Sequence, residues 1–160
     1  MDALAGSEAR VAEELGRLGI ASEVRVMPAS TRSAAEAAAA VGCDVSQIVK
    51  SLIFRSVNSD EPILVLASGA NRVDEGRLAE LVGGPVERAT AEFVRTRTGY
   101  AIGGVAPIGH FQPIGAYLDE HLLSHLVVWA AAGSPRAVFS VAPADLVRVT
   151  GAKVVALAAT

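Results

Sequence analysis

The chain has 160 residues, 51% of them hydrophobic, 19% charged and 4% aromatic, which is enough for one packed core without disulfides or metal and excludes a disordered chain. Its net charge of −3 excludes a broad nucleic-acid-coating surface, since such binding depends on many phosphate neutralisations, but leaves room for a local basic site. Its longest apolar runs, such as Leu126 to Ala132, fall far short of the roughly 20 residues that span a bilayer.

The opening MDALAGSEARVAEELGRLG is charged and amphipathic, without the basic start and apolar stretch of a secretory signal, so a cytoplasmic protein is expected. Ser7 can cap a first helix on which Val11, Leu15 and Leu18 recur at helical spacing, with Gly19 ending it. Val24 and Val26 alternate with charged neighbours, as a short half-buried strand would. Ser33-Ala34-Ala35-Glu36 has capping-box spacing and opens an alanine-rich helix to Val41, which Gly42 stops. Cys43, the only cysteine, leaves no internal disulfide and no cysteine cluster for zinc, and is expected to be buried or half-buried.

One further helical turn is expected over Asp44 to Val49. A strand from Lys50 to Val57 follows, alternating so that Lys50, Leu52 and Phe54 share one face and Ser51, Ile53 and Arg55 the other. The turn NSDEP and the apolar run PILVLAS complete a hairpin. A helix carrying Leu78, Leu81 and Val82 ends at Gly83-Gly84-Pro85, and Thr90 caps a short helix through Phe93 and Val94.

Gly99 to Gly115 holds five glycines and two prolines and reads as a long, specified loop. Beyond it are expected a short segment Ala116 to Leu118, a helical turn or two over Asp119 to His125, and strands Leu126 to Ala131 and Ala137 to Val141. A short helix Ala144 to Val149 and a last strand Val154 to Ala158 complete the chain. Interspersed helices and hairpins predict one α/β domain over residues 1–160, a twisted mixed sheet surrounded by helices.

Lys50 is one of only two lysines against twelve arginines, and it heads an apolar face. Its stem can pack while its head snorkels to water; alternatively the ammonium is an anion hook at the mouth of a pocket floored by the sheet. Thr98 to His110, TGYAIGGVAPIGH, suits the second alternative. Its glycines let main-chain N–H groups approach a ligand, and Pro107 fixes one φ and withholds a donor. Such a loop can stabilise an oxyanion without a charged side chain. It matches neither a P-loop nor a dinucleotide fingerprint. His121 and His125, at i and i+4, have a spacing that can serve a metal but lack the glutamate of a metalloprotease motif. Asp119 reads as a helix N-cap, and His110, Thr31 and Ser51 have packing or turn roles beside any contact with substrate.

KSLIF, VDEGRLAEL, TGYAIGGVAPIG, AYLDEHL and the closing AAG…VAPADLVRVTGA, in this order, resemble the YbaK/ProX family of aminoacyl-tRNA deacylases, relatives of the editing domain of bacterial prolyl-tRNA synthetases. The resemblance covers roughly Ser7 to Ala156. It implies hydrolysis of the ester between a small wrong amino acid (Ala, Ser or Cys) and its tRNA, with no metal or other cofactor and with a synthetase as a further partner. The family's lysine falls on Lys50, expected to hold the acceptor end of the tRNA, and its G-x-x-x-P loop falls on Gly103 to Pro107. Catalytic roles are thereby expected for Lys50 and Gly103. Substrate contacts are expected for Ser51, Tyr100, Gly104, Val105, Ala106, Pro107, Ile108, Gly109, Ala131 and Gly133. Many members have Ser-Ala-Gly where this chain has Ala131-Ala132-Gly133, which leaves amino-acid preference open and sustains an alternative, a non-catalytic module that binds an aminoacyl-tRNA, a nucleotide or a synthetase.

Overall fold

The structure is a computed structural model that describes residues 6–160; the first five residues of the opening segment lie outside it. Five α-helices and eight strands are interspersed along the described chain. Helix α1 (Gly6–Arg17) buries Val11 and Leu15. It ends before Leu18, which still packs on the core, and Gly19 turns the chain at φ +72°. Helix α2 (Ala34–Val41) has the full capping box of Ser33 with Glu36, and Gly42 ends it in the left-handed conformation. Helices α3 (Glu75–Val82), α4 (Ala91–Thr98) and α5 (Pro143–Thr150) each end at a left-handed glycine, where the absence of a β-carbon removes the steric cost.

The strands are β1 (Arg25–Val26), β2 (Ile48–Ser56), β3 (Pro62–Ser68), β4 (Val86–Arg88), β5 (Gly115–Asp119), β6 (Val128–Ala131), β7 (Ala137–Val141) and β8 (Lys153–Val155). They form one mixed sheet in the order β1-β7-β6-β2-β3-β5-β8, with β4 also paired to β2. The β2–β3 hairpin is antiparallel, Lys50 opposite Ala67 and Phe54 opposite Ile63. All seven residues of β3 are buried, as its unbroken apolar run requires of a strand covered on both faces. Leu64 and Leu66 face a cluster with Val11, Leu15 and Leu146. Ile63, Val65 and Ala67 face the opposite cluster, with Phe54, Leu78 and Leu157.

Several elements differ from the sequence expectation: Ser7 lies inside α1 rather than capping it, both residues of β1 are exposed, β2 already begins at Ile48, and β8 runs from Lys153 to Val155 rather than on to Ala158. β4 was not expected: it has three residues, too few for an alternation to register. The segment after Asp119 is a 3-10 turn over Glu120–Ser124, not an α-helix, and His125 beyond it is extended. Residues i and i+4 do not stack at three residues per turn, so His121 and His125 share no helical face. The strand expected from Leu126 begins at Val128, and the Leu126 side chain is 92% exposed. Asp44 caps another 3-10 turn, Val45–Gln47, which delivers the chain into β2.

Candidate active site where the sheet splits

β2 has two neighbours along its outer edge, and they diverge. Parallel β6 meets only Ile48 and Val49, whereas antiparallel β4 meets only Phe54, Arg55 and Ser56. Among the described residues, no strand lies opposite Lys50, Ser51 and Leu52 on that edge. A cleft of about 450 Å³ fills the opening, walled by α2, β4, β6 and the Ile102–Val105 segment of the long loop.

Side chains from both faces of β2 reach the cleft. Lys50 is half-buried on the Phe54 face, and its Nζ donates to the main-chain carbonyl of Asn71. Asn71 is held in turn. Its Nδ2 donates to Asp119 Oδ2 at 2.8 Å and to His121 Nδ1 at 2.7 Å, so that ring nitrogen is the acceptor. Asp119 is 1% exposed and also accepts from the Ser68 and His121 amides, which include the helix-cap role read from the sequence. Burial lowers the Lys50 pKa, the nearby Arg88 guanidinium lowers it further, and Asp119 opposes both.

The other face carries Ser51. Its Oγ is, among the described residues, the buried side-chain polar atom without a hydrogen-bond partner, a state that costs about 1–3 kcal/mol until a partner arrives. Val49, Ile53, Val94, Val105 and Ala130 line the cleft with it and belong to the one core cluster on this side of the sheet. Among the described residues, every charged one lining the cleft is a cation: Arg32, Lys50 and Arg88. Arg32 lies over Gly103, where a β-carbon would come within 2.7 Å of its Cγ, and Gly103 is held at φ +94°.

Of the residues singled out from the sequence, Thr31, Lys50, Ser51, Gly103, Val105 and Ala131 line this cleft. The others lie elsewhere. Tyr100 is 1% exposed and donates to the Ile108 carbonyl at 2.6 Å, and Ala106 is fully buried, so both anchor the loop. Gly104 spends its N–H on Ala101, and a β-carbon there would meet the Ser134 main chain at 2.7 Å. Gly133, at φ +97°, packs against the Ser7 carbonyl of α1. Pro107, Ile108 and Gly109 line a separate depression beside α1.

His110 is also a loop anchor. Its Nε2 is 2.7 Å from the Ala106 carbonyl and must carry the proton, while burial lowers its pKa. Thr31 is buried, with both its amide and its hydroxyl on the Pro135 carbonyl. Cys43 is half-buried, as expected. Arg32 and Arg88 were missed. Nothing in the spacing of twelve arginines marks these two, and only the fold brings them beside Lys50.

Residues 28–149 match the model of the aminoacyl-tRNA editing domain. The chain is 30% identical over 132 residues to the uncharacterized protein YwhH of Bacillus subtilis, covering 82% of this chain and 83% of that one. It is 32% identical over 91 residues to a proline–tRNA ligase of Limosilactobacillus fermentum, covering 54% of this chain but 16% of the ligase. A crystal structure of a candidate trans-editing enzyme for prolyl tRNA synthetase superposes with a TM-score of 0.93 at 50% identity, covering 99% of this chain and all of that one. The hypothetical protein APE2540 superposes at 0.87 with 35% identity, covering 94% and 99%. The match to the family model, together with these likenesses, shows that this chain belongs to the family of aminoacyl-tRNA editing domains, the YbaK-like family that its motifs resemble.

Proposed function

We propose that the cleft hydrolyses the ester of mischarged aminoacyl-tRNA carrying a small amino acid, acting in trans. The observation that carries this reading is the charge of the cleft: in a chain of net charge −3, its charged lining is cationic throughout, as a site for the phosphodiester end of a tRNA requires. Lys50 is the hook for the acceptor end, its ammonium steered by the Asn71 carbonyl and retaining donors for substrate. The main chain around Gly103 faces the scissile ester.

Among the described residues, neither a carboxylate nor a histidine lines the cleft, so the reading uses no side-chain general base. Water attacks the ester carbonyl, the terminal ribose hydroxyl assists, and main-chain N–H groups meet the developing negative charge. The tetrahedral intermediate collapses to free amino acid and tRNA. A small residue is favoured because the space beside Ser51 is walled by valine, isoleucine and alanine side chains; each methylene discriminated there is worth about 1–3 kcal/mol. The names of the relatives support prolyl-tRNA synthetase as the enzyme whose errors are removed, and this reading puts the activity in the cytoplasm, where charged tRNA is used.

A deacylation screen over mischarged tRNAs, run with the parent and with Lys50→Ala, tests the reading. It expects turnover of at least one small aminoacyl ester by the parent and a marked fall in kcat/KM in the variant. The same missing side-chain base favours a second reading, a module that binds aminoacyl-tRNA without cleaving it. Binding of every ester with turnover of none would establish that reading instead.

A further inference from the structure

The open edge of β2 has a hydrogen-bonding consequence at one residue. The Ile48 carbonyl accepts from Gly69 on the β3 side, and the Ile53 carbonyl accepts from Ala89 on the β4 side. Main-chain groups alternate in direction along a strand, so even-numbered residues of β2 serve β3 and odd-numbered residues serve the outer edge. Val49 is met there by β6 and Arg55 by β4. Ser51, which lines the cleft, lies between them with no strand opposite among the described residues, so by the same alternation its N–H and C=O point to the open edge.

An aminoacyl ester carries one nitrogen donor and one carbonyl acceptor on a single α-carbon. That is the complement of one strand residue in a hydrogen-bonded antiparallel pair, where two residues exchange both N–H···O bonds. We propose that the aminoacyl group docks on this edge as a one-residue strand opposite Ser51. Its α-ammonium donates to the Ser51 carbonyl, and its ester carbonyl accepts from the Ser51 N–H. This inference rests on the proposed deacylase function and adds how the amino acid is recognised.

The geometry fixes where the side chain goes. Directly opposed residues project to the same face of a sheet, so the substrate side chain lies on the Ser51 face, against Val105 and Ala130 and beside the unpartnered Ser51 Oγ. The phosphodiester then lies on the other side of the strand, with Lys50. One strand edge thereby separates amino-acid reading from RNA holding.

The test compares alanyl-tRNA with propionyl-tRNA, which has the same carbon skeleton but no α-nitrogen, each rate divided by its own uncatalysed hydrolysis. The expected enhancement is at least about tenfold greater for the alanyl ester. Ser51→Val, which keeps the main chain and adds methyl groups on the substrate's face, should lower the alanyl-to-glycyl ratio of kcat/KM by about tenfold. Ser51→Ala, which removes the orphaned hydroxyl, should melt no lower than the parent and serves as the folding control. Equal enhancement for alanyl and propionyl esters, or a Ser51→Val ratio equal to that of the parent, overturns the docking while leaving the deacylase reading intact. Absence of turnover by the parent on every aminoacyl ester overturns the deacylase reading itself, and this inference with it.

Discussion

Lys50 combines features that rarely coincide: a half-buried ammonium, a carbonyl that orients it, and a guanidinium near enough to oppose its charge. Lys50→Ala should lower kcat/KM about ten- to a hundredfold, the worth of one or two charge-assisted contacts, while circular dichroism reports an unchanged fold. The pH profile gives a sharper reading. Because burial and Arg88 lower the Lys50 pKa, the protonated fraction, and with it activity, falls on the alkaline side earlier than an exposed lysine would dictate. Removing the repulsion with Arg88→Ala should move that limb to higher pH, and Asp119→Asn, which removes the opposing carboxylate, should move it lower. Rates corrected for spontaneous ester hydrolysis check both directions; a limb that stays fixed in both variants would show that another group sets it. Lys50 was legible in the sequence because lysine is scarce and this one heads an apolar face. Arg32 and Arg88 were not, because one lies in an irregular stretch before α2 and the other on a three-residue strand.

The long loop from Gly99 into β5 is where element-scale reasoning succeeded in kind and failed in detail. Its glycines and prolines marked a specified loop, and the structure supplies the specification. Arg10 of α1 donates to the Gly109 carbonyl at 2.9 Å and lies over the Tyr100 ring, while Tyr100 and His110 bond to carbonyls of the loop itself. Tyr100→Phe leaves the buried Ile108 carbonyl unmet, at about 1–3 kcal/mol, and should lower Tm by a few degrees with a smaller effect on kcat. Gly103→Val should do the reverse. At φ +94° a side chain is strained by about 1–2 kcal/mol, but the new β-carbon meets the mobile stem of Arg32, so most of the loss should appear in turnover. Thermal melts paired with deacylation rates separate the two. His110 adds a pH signature. Its folded pKa lies below the unfolded value of about 6.5, so the unfolded chain binds the extra proton between the two values. Stability is full above the unfolded value and declines as pH falls toward the folded one; His110→Gln should flatten that decline. What sequence could not reveal is which glycines line the cleft; of the described glycines, Gly103 alone does. Composition marks a glycine's freedom, whereas Gly104 and Gly133 use theirs for close contact with neighbouring main chain.

At the scale of the whole molecule, the hairpin, the helix caps and the mixed α/β class follow from local pattern, because capping boxes, alternation and left-handed glycines are short-range signals. Strand order does not. That β6 and β4 meet β2 at opposite ends and leave a split between them depends on pairings some thirty to eighty residues apart, for which a single sequence offers no pattern. The split concentrates positive charge in an otherwise acidic protein, and under the proposed function this sets the salt dependence of substrate binding. If Arg32, Lys50 and Arg88 each neutralise one phosphate of a single-stranded acceptor end, log K should fall with log salt at a slope of about −2. Titrating a non-hydrolysable aminoacyl minihelix at several salt concentrations measures it, and Arg32→Ala should reduce the slope by somewhat under one unit. A slope near zero would mean that the cleft cations touch no phosphate. A slope several times steeper would mean that the RNA lies across a much larger surface than the split, which the net charge of −3 opposes.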